Sequence, residues 1–480
     1  MSAATPSIEI AKTASDLSAI DRASVLHPST NIAEFASGQL PATIVDTAKG
    51  VRIRDTEGRE LIDGFAGLYC VNIGYGRTEV ADAIARQAHK LAYFHTYAGH
   101  STEELIRLSD RLIKMAPVSN GGGKMQRVFY GTSGSDANET QAKLVWYYHN
   151  LIGKPRKKRI IARERAYHGN TVMAGSMTGL NFYHNFMDLP VSAILRTGAP
   201  HYYWGAEPGE SEQEFSQRRA NELEALIVRE DPETIGAFIG EPVLGTGGLI
   251  PPPAGYWQAI QTVLRKHEIL LIADEVITGF GRTGRMFGSE LYDIQPDLVT
   301  IAKGLTSAYA PLSGVLVGER VYQAMEAGSA EAGVFPHGYT YTGHPIGVAA
   351  ANANLDILER EDLTSNAASV GNYMLAALHE AFDGLPITGE VRGVGLMLAV
   401  EFVADPATKK RLDPALRVAY RISKLARERG LITRPMPQSE ALGFAPPLVL
   451  TRSEADQIVE ISAASTRQII DELAREGSLT

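Results

Sequence analysis

The stretch LLIADEVITGFGRTG, residues 270–284, decides how the rest of the chain is interpreted. A run of apolar, strand-forming residues, 270–273, is followed directly by the carboxylate of Asp274. A second stretch, TIAKGLTSAYAPLSG at residues 300–314, repeats this arrangement with Lys303 after its apolar run. A charged group next to a buried strand costs free energy unless it is paired, so both positions are candidates for a functional site.

Short apolar runs alternate with longer amphipathic stretches from about residue 125 to residue 320. The strand candidates are residues 128–130, 159–162, 237–239, 270–273, 298–302 and 314–317. This alternation predicts an α/β fold with a central, mostly parallel sheet and helical crossovers. Glu241, Asp274 and Lys303 each follow one of these runs, and open α/β sheets bind ligands beyond the carboxyl ends of their strands. We therefore expect a ligand site at that edge of the sheet.

The segments on either side of this core predict a smaller α+β domain built from both termini. Residues 1–76 would join it through VRIRDTEGREL, a hairpin with a turn at Glu57 and Gly58. Residues 77–344 would form the large domain, and residues 345–480 the rest of the small one. In that last part we expect a helix around residues 349–358, a strand in RGVGLMLAVEF, a further helix, and a loop that contains Arg434.

Composition excludes several classes of protein. The 480 residues carry a net charge of -9, with a pI near 5.8, which argues against nucleic-acid and anionic-membrane partners. Cys70 is the only cysteine, so neither an internal disulfide nor a cysteine-based zinc site is expected, and no metal is predicted. The N-terminus has no charged start followed by an apolar stretch, and no apolar run reaches membrane-spanning length. We expect a cytoplasmic protein.

Asp274 and Lys303 each have two interpretations. The Asp274 carboxylate would keep a pyridinium nitrogen protonated, so that the charged ring acts as an electron sink, or it would be a structural cap or a metal ligand. The Lys303 amine would lose its charge by forming an imine, or it would reach solvent along its aliphatic stem. Similarly, Ser133, Gly134 and Ser135 lie between a strand and a helix, and either bind an anion there or only cap the helix.

Taken together and in this order, the motifs resemble those of the class III (ω-amino acid) aminotransferases, which depend on pyridoxal 5'-phosphate (PLP), and within them the amine:pyruvate subgroup. The resemblance runs from about residue 64 to residue 450, and its most specific part is the pair ADEV and AKGL. The matching stretches are GLYCVNIGYGR, YGTSGSDANET, AYHG, GEPVLGTGG, ADEVITGFGRTG, AKGL, HGYTYTGHP and RGVG. The resemblance implies the fold of a fold-type I PLP-dependent transferase.

The resemblance also implies residue roles. Lys303 would carry PLP as a Schiff base and serve as proton carrier, Asp274 would hold the ring nitrogen, and Tyr167 would stack on the ring, so these three are the expected catalytic residues. The remaining cofactor-binding residues implied are Ser133, Gly134, Ser135, His168, Glu241, Val276, Tyr339 and Thr340. Thr340 would reach the phosphate of a neighbouring subunit, which implies a homodimer with its site at the interface and leaves open whether dimers pair into tetramers.

The implied reaction moves an amino group from a primary amine or ω-amino acid to a keto acid by a ping-pong mechanism. Arg434 would pair with the carboxylate of pyruvate. Tyr69, Tyr93 and Phe94 would line the substrate pocket, and Tyr69 stands where many relatives carry tryptophan, so amine preference does not transfer from them.

Several alternatives stay open at this point. The same chemistry could have a dedicated β-alanine, polyamine or α-ketoglutarate specificity, or the chain could be a PLP aminomutase or decarboxylase. A catalytically silent cofactor-binding protein is disfavoured because the lysine, the aspartate and the phosphate loop are all intact. Nucleotide binding is disfavoured because the glycine-rich segments match no phosphate-loop or dinucleotide motif.

Overall fold

The computed structural model describes residues 14–479. Residues 1–13 and 480 lie outside the described residues, and so does the expectation for the very N-terminus. The chain begins with helices α1 (Ala14–Ser24) and α2 (Ile32–Ala36), followed by strands β1 (Val45–Lys49), β2 (Arg52–Asp55) and β3 (Glu60–Asp63). β1 pairs antiparallel with β2, and β2 with β3. The predicted hairpin is confirmed, with Gly58 at φ +84° in the β2–β3 turn. A helical turn α3 (Ala66–Tyr69) and helices α4 (Thr78–Lys90) and α5 (Glu103–Met115) follow.

A seven-stranded sheet forms the centre of the chain. Its strands are β4 (Met125–Gly131), β5 (Arg159–Arg163), β6 (Ile194–Thr197), β7 (Ile235–Gly240), β8 (Leu270–Asp274), β9 (Leu298–Ile301) and β10 (Ser313–Gly318). Their order is β4-β10-β9-β8-β7-β5-β6, with β10 antiparallel to both of its neighbours. All six predicted runs are strands, which confirms a mostly parallel sheet. The sequence reading missed β6, a four-residue edge strand with a short apolar signal.

Helices cover both faces of this sheet. They are α6 (Gly134–Leu151), α7 (Val172–Met177), α8 (Tyr202–Gly205), α9 (Glu212–Arg229), α10 (Tyr256–Lys266), α11 (Gly288–Leu291) and α12 (Glu319–Ala332). Successive residues of a strand enter different cores: Ile160 packs on the α6 side and Ile161 on the α9 and α10 side. Strands covered on both faces must be apolar throughout, which explains why they appear in the sequence as uninterrupted runs.

The C-terminal part supplies the remaining elements. These are α13 (Pro345–Arg360), α14 (Leu363–Phe382), β11 (Thr388–Val394), β12 (Met397–Phe402), α15 (Val418–Glu428), β13 (Leu431–Ile432), β14 (Arg434–Pro435), β15 (Ala441–Phe444) and α16 (Arg452–Arg475). Strands β11-β12-β15-β14 form an antiparallel sheet. Strand β13 pairs in parallel with β3, so segments from both ends of the chain share a sheet. The division at residues 76 and 344 stays a prediction.

Two local predictions in this part are wrong. RGVGLMLAVEF is not one strand, because Gly395 at φ +53° turns the chain and makes β11 and β12 a hairpin. A Cβ on Gly395 would lie 2.5 Å from the backbone carbon of Thr283, so only glycine fits this turn. Arg434 is not in a loop but in β14, where it pairs with Gly443 of β15.

Candidate active site

The carboxyl ends of three neighbouring strands meet at one cavity. Glu241 follows β7, Asp274 ends β8 and Lys303 follows β9, and all three side chains line the cavity together with the first turns of α6. The cavity encloses about 420 Å³, counting its open mouth. Its wall consists of Gly134, Ser135, Asn138, Tyr167, His168, Gly169, Glu241, Asp274, Val276, Ile277 and Lys303.

The Asp274 carboxylate is buried and held on both oxygens. Its Oδ2 accepts hydrogen bonds from His168 Nδ1 at 2.7 Å and from the Asn138 amide at 2.8 Å. Its Oδ1 accepts from the backbone N–H of Val276 at 3.1 Å. No cluster of residues within 14–479 is suited to a metal ion, so the metal-ligand interpretation of Asp274 finds no support in that part of the chain.

Asn138 and Thr300 belong to this site, and the sequence reading did not identify them. Thr300 donates its hydroxyl to Asn138 Oδ1 at 2.7 Å, which fixes the amide so that its NH₂ faces Asp274. The same amide also donates to the backbone oxygen of His168 at 2.8 Å. Helical spacing offered a signal, because Asn138 lies four residues after Gly134 and therefore on the same face of α6.

Lys303 stands in a strained backbone conformation at the end of β9. Its φ of +44° is uncommon for a residue with a side chain, and such strain persists only where the surroundings enforce it. The Asn354 amide donates to the carbonyls of Gly304 and Leu305 at 2.9 and 3.0 Å. A Cβ on Gly304 would meet Asn72 Nδ2 at 2.4 Å, so the turn is closely packed around the lysine. The half-buried amine is thereby aimed into the cavity that it lines.

The start of α6 separates the roles of the three predicted phosphate residues. Ser133 caps the helix: its Oγ accepts from Asp136 N–H at 3.1 Å, and Asp136 in turn accepts from Ser133 N–H. Gly134 and Ser135 line the cavity, and Ser133 does not. First-turn N–H groups have no partner within their helix and favour an anion. The role of Ser133 as a phosphate ligand stays a prediction.

Glycine residues, which have no side chain, shape the end of the cavity at the start of α6. A Cβ on Gly169, which has φ +129°, would meet Ser135 Oγ at 2.4 Å, and one on Gly134 would meet Val276 at 3.1 Å. Ser135 Oγ accepts from the N–H of Asn170 at 3.1 Å. Small residues therefore let the loop after Tyr167 lie directly against the start of α6, which gives the cavity a narrow, backbone-lined end.

Glu241 orients the aromatic wall of the cavity. Its Oε1 accepts from the N–H of Tyr167 at 3.1 Å and its Oε2 from the N–H of Gly245 at 2.8 Å. Burial raises the pKa of Glu241, opposed by the charge of His168 and reinforced by that of Asp274. Burial also raises the pKa of Tyr167 to about 12, so its phenol is neutral at ordinary pH. These contacts place Glu241 behind Tyr167, and its predicted part in cofactor binding stays a prediction.

The residues present fit PLP. The cavity offers an amine, a buried carboxylate beside which a ring nitrogen would be held protonated, an aromatic side chain and an aliphatic one, and helix N–H groups suited to a phosphate. Lys303 would hold the aldehyde carbon, Asp274 the ring nitrogen, Tyr167 and Val276 the ring, and Gly134 and Ser135 the phosphate.

The predicted substrate residues lie in two places. Arg434 lies over the rings of Phe65 and Tyr69, with its guanidinium carbon 5.5 and 5.8 Å from their centroids. Its charge opposes the rise in the pKa of Tyr167, so Arg434 acts on the cavity. Tyr93 and Phe94 do not line it.

The other two predicted substrate residues, Tyr93 and Phe94, lie on a separate surface. The Tyr93 hydroxyl donates to the carbonyl of Thr340 at 2.7 Å, and Tyr339 donates to the carbonyl of Asp136 at 3.2 Å. Within one chain neither Tyr339 nor Thr340 lines the cavity around Lys303. Their assignment to the phosphate of a neighbouring subunit therefore stays a prediction.

The fold and the site together define a PLP-dependent transferase of fold-type I. The chain belongs to the class III aminotransferases, since the sequence profile of the Aminotransferase class-III family matches residues 34–464. It is a transaminase that uses PLP. No helix within residues 14–479 is both long enough and apolar enough to cross a membrane.

Known proteins resemble the chain over nearly its whole length. It is 64% identical to an uncharacterized aminotransferase of Sinorhizobium fredii, covering 96% of this chain and 98% of that protein. It is 53% identical to a diaminobutyrate–2-oxoglutarate transaminase of Halomonas elongata, covering 97% and 98%. The solved ω-transaminase of Pseudomonas jessenii in complex with PMP superposes with a TM-score of 0.91 at 40% identity, covering 95% of this chain and 98% of that one.

Proposed function

We propose that this transaminase moves amino groups from primary amines or ω-amino acids to pyruvate, by a ping-pong mechanism. The observation that carries the proposal is Arg434. It forms no salt bridge with any carboxylate of residues 14–479, yet it lies on two aromatic rings beside the cavity. An unpaired guanidinium over apolar faces is suited to bind a keto-acid carboxylate in one half-reaction and to leave the space to an apolar amine in the other.

The residues of the chain divide the work. When bound, PLP supplies the carbonyl that takes up the amino group and the ring that withdraws electrons. The Lys303 amine takes the proton from the substrate carbon as general base and, as general acid, would return it on the cofactor side of the transferred nitrogen. Asp274, held by His168 and Asn138, would keep a proton on the ring nitrogen. Glu241 fixes the backbone of Tyr167, whose side chain would cover the ring.

The active unit in this proposal is a homodimer with the site at its interface. Tyr93, Phe94, Tyr97 and Tyr341 are large side chains that remain 37 to 56% exposed in a single chain, and Thr340 lies among them. Exposed aromatic groups of this size are typical of protein interfaces.

The single cysteine, Cys70, is a free thiol, which suits a reducing compartment, and we propose that the enzyme is cytoplasmic.

A second acceptor, α-ketoglutarate, has support of its own. The diaminobutyrate transaminase that shares 53% identity with this chain is named for that acceptor under its synonym 2-oxoglutarate. The solved neighbour is named as an ω-transaminase. Since Arg434 would bind the carboxylate next to the keto group in both acids, the two acceptors differ only in whether a second carboxylate is accommodated.

The test is a pair of half-reactions on purified, PLP-loaded protein. 1-Phenylethylamine should bleach the visible band of the bound cofactor, and pyruvate should restore it. Restoration by α-ketoglutarate alone would transfer the proposal to that acceptor, and no bleaching with any primary amine would contradict it. Arg434→Ala should raise the pyruvate concentration for half-restoration roughly 100-fold while leaving the amine step within about twofold. Arg452→Ala is the matched control, because Arg452 also lies over an aromatic ring, Tyr373 at 5.1 Å, but outside the cavity.

A further inference from the structure

Tyr69 carries a hydroxyl that is buried in the fold. The residue is 1% exposed, has φ +62°, and packs its ring against Phe65 with centroids 4.4 Å apart. The apolar cluster around it fixes the ring in place. Its Oη is shielded from solvent and forms no hydrogen bond with any residue in the range 14–479. Buried hydroxyl groups are almost always hydrogen-bonded, so a donor left free next to an active site calls for a ligand.

The surroundings of this hydroxyl identify the kind of ligand. Arg434 and Thr246 lie close enough to lower the pKa of Tyr69, although neither reaches hydrogen-bond geometry with it. Burial raises that pKa more strongly, so the phenol keeps its proton and remains a donor. The charge of Glu241 also raises the pKa of Tyr69, but no salt bridge within residues 14–479 neutralises Arg434. A cation and a protonated hydroxyl side by side complement a negatively charged acceptor.

We propose that Tyr69 Oη is the second donor to the substrate carboxylate that Arg434 binds, and that Tyr69, Arg434 and Thr246 form one polar subsite. A carboxylate has two oxygens with about four acceptor positions, enough for the two-pronged guanidinium and one phenol. The subsite selects 2-keto acids as acceptors, and as donors ω-amino acids that end in a carboxylate. This inference rests on the proposed function and adds to it the residue that reads the carboxylate.

The proposal also predicts how apolar amines respond to the loss of the Tyr69 hydroxyl. An amine without a carboxylate offers the Tyr69 hydroxyl no acceptor, so removing that hydroxyl costs such an amine nothing. A carboxylate loses a charge-assisted hydrogen bond, which is among the stronger polar contacts in proteins. Tyr69 is therefore a specificity-determining residue that distinguishes substrates with a carboxylate from apolar amines.

Tyr69→Phe tests the proposal on the PLP-loaded enzyme, since it removes one oxygen and keeps the ring. The pyruvate concentration that half-restores the visible band should rise roughly tenfold or more, while the half-saturating concentration of 1-phenylethylamine should stay within about twofold. Because the lost hydroxyl forms no hydrogen bond with residues 14–479, the melting temperature should be unchanged or higher. Tyr148→Phe, the same change at a buried position on the far end of α6, should alter none of these.

Three outcomes would overturn the inference. These are an unchanged pyruvate requirement, an equal rise for pyruvate and for the amine, and a marked fall in melting temperature, which would show that the hydroxyl is structural. The experiment keeps this failure apart from that of the proposed function. If wild-type enzyme bleaches with amine and recovers with a keto acid, the function stands whatever Tyr69→Phe does. The comparison is repeated with α-ketoglutarate, because the subsite binds the carboxylate beside the keto group in either acid.

Discussion

The cavity at the strand ends and the exposed aromatic surface around Tyr93 are built in different ways. At the first, Glu241, Asp274 and Lys303 meet at the same sheet edge, and hydrogen bonds from the same chain hold the carboxylates of Glu241 and Asp274. The second lies on connecting segments, where Tyr93 contacts Thr340 and Phe94 remains 44% exposed. A sheet brings residues together through its own hydrogen bonds, whereas side chains on loops depend on what packs over them.

The largest effect is expected from Lys303→Ala. The amine is the only group in the cavity wall proposed to take the proton from the substrate carbon as general base and give it back as general acid, so turnover should fall by about a thousandfold or more. Borohydride reduction of the wild type should attach the cofactor to a peptide that contains Lys303, and the variant should retain none. Lys266→Ala, at an exposed position of α10, should behave as wild type. A labelled peptide elsewhere in the chain would refute the assignment.

Asp274→Asn can be compared with a change at Glu275, because Glu275 is the next residue and is also buried. Asp274 contacts cavity residues, whereas Glu275 accepts from Ser289 and Gly288 outside the cavity. We expect Asp274→Asn to lower turnover roughly 100-fold or more and to weaken cofactor binding. Glu275→Gln should lower the melting temperature and leave the cofactor spectrum unchanged. If both variants alter the spectrum equally, the special role of Asp274 is wrong.

Mixing two inactive variants tests whether the aromatic surface completes a partner's site. Lys303→Ala supplies an intact Thr340, and Thr340→Asp, whose charge would repel a phosphate, supplies an intact Lys303. When the two variants are co-expressed in equal amounts, about half of the dimers should contain one chain of each. Each such mixed dimer would have one whole site out of two, so activity should reach about a quarter of wild type. Activity no higher than that of the parents would place Thr340 in the site of its own chain. Thr340→Ser serves as the conservative control.

The smallest effect concerns the scaffold below the cavity. His149 of α6 is 1% exposed and donates from Nε2 to the carbonyl of Gly236 in β7 at 3.0 Å, and burial lowers its pKa from 6.5 to about 4. Between these two values the unfolded chain binds the proton and the folded one does not, so the free energy of unfolding falls as pH falls from about 6.5 to about 4.

This loss should be on the order of 2 kcal/mol over that window. His149→Gln should flatten the pH dependence measured by denaturant unfolding at several pH values, with turnover little changed at neutral pH. His379→Gln, at an exposed position of α14, should leave the slope as it is. An unchanged slope in His149→Gln would show that other groups cause the acid sensitivity.

Hydrophobic patterning predicted six of the seven strands of the large sheet, including the edge strand β4, and missed β6 at the opposite edge. β6 has only four residues, two of them partly exposed, so its apolar signal is weak. The hairpin of β11 and β12 was hidden for another reason: Gly395 turns the chain because the backbone of Thr283 lies against it, and that contact joins residues more than a hundred positions apart. Arg434 was expected in a loop because two-residue strands such as β14 have no periodicity to detect.

The order of motifs along the chain determined the family, the cofactor and the placement of Asp274 and Lys303, because a charge directly after a buried strand is visible in one dimension. Only the tertiary structure decided which groups hold those charges. Asn138 and Thr300 support Asp274 from a helix and a neighbouring strand, and the Tyr69 ring lies beside Arg434 from the other end of the chain. Hydrogen bonding and burial depend on distances across the fold, and no spacing along the sequence encodes them.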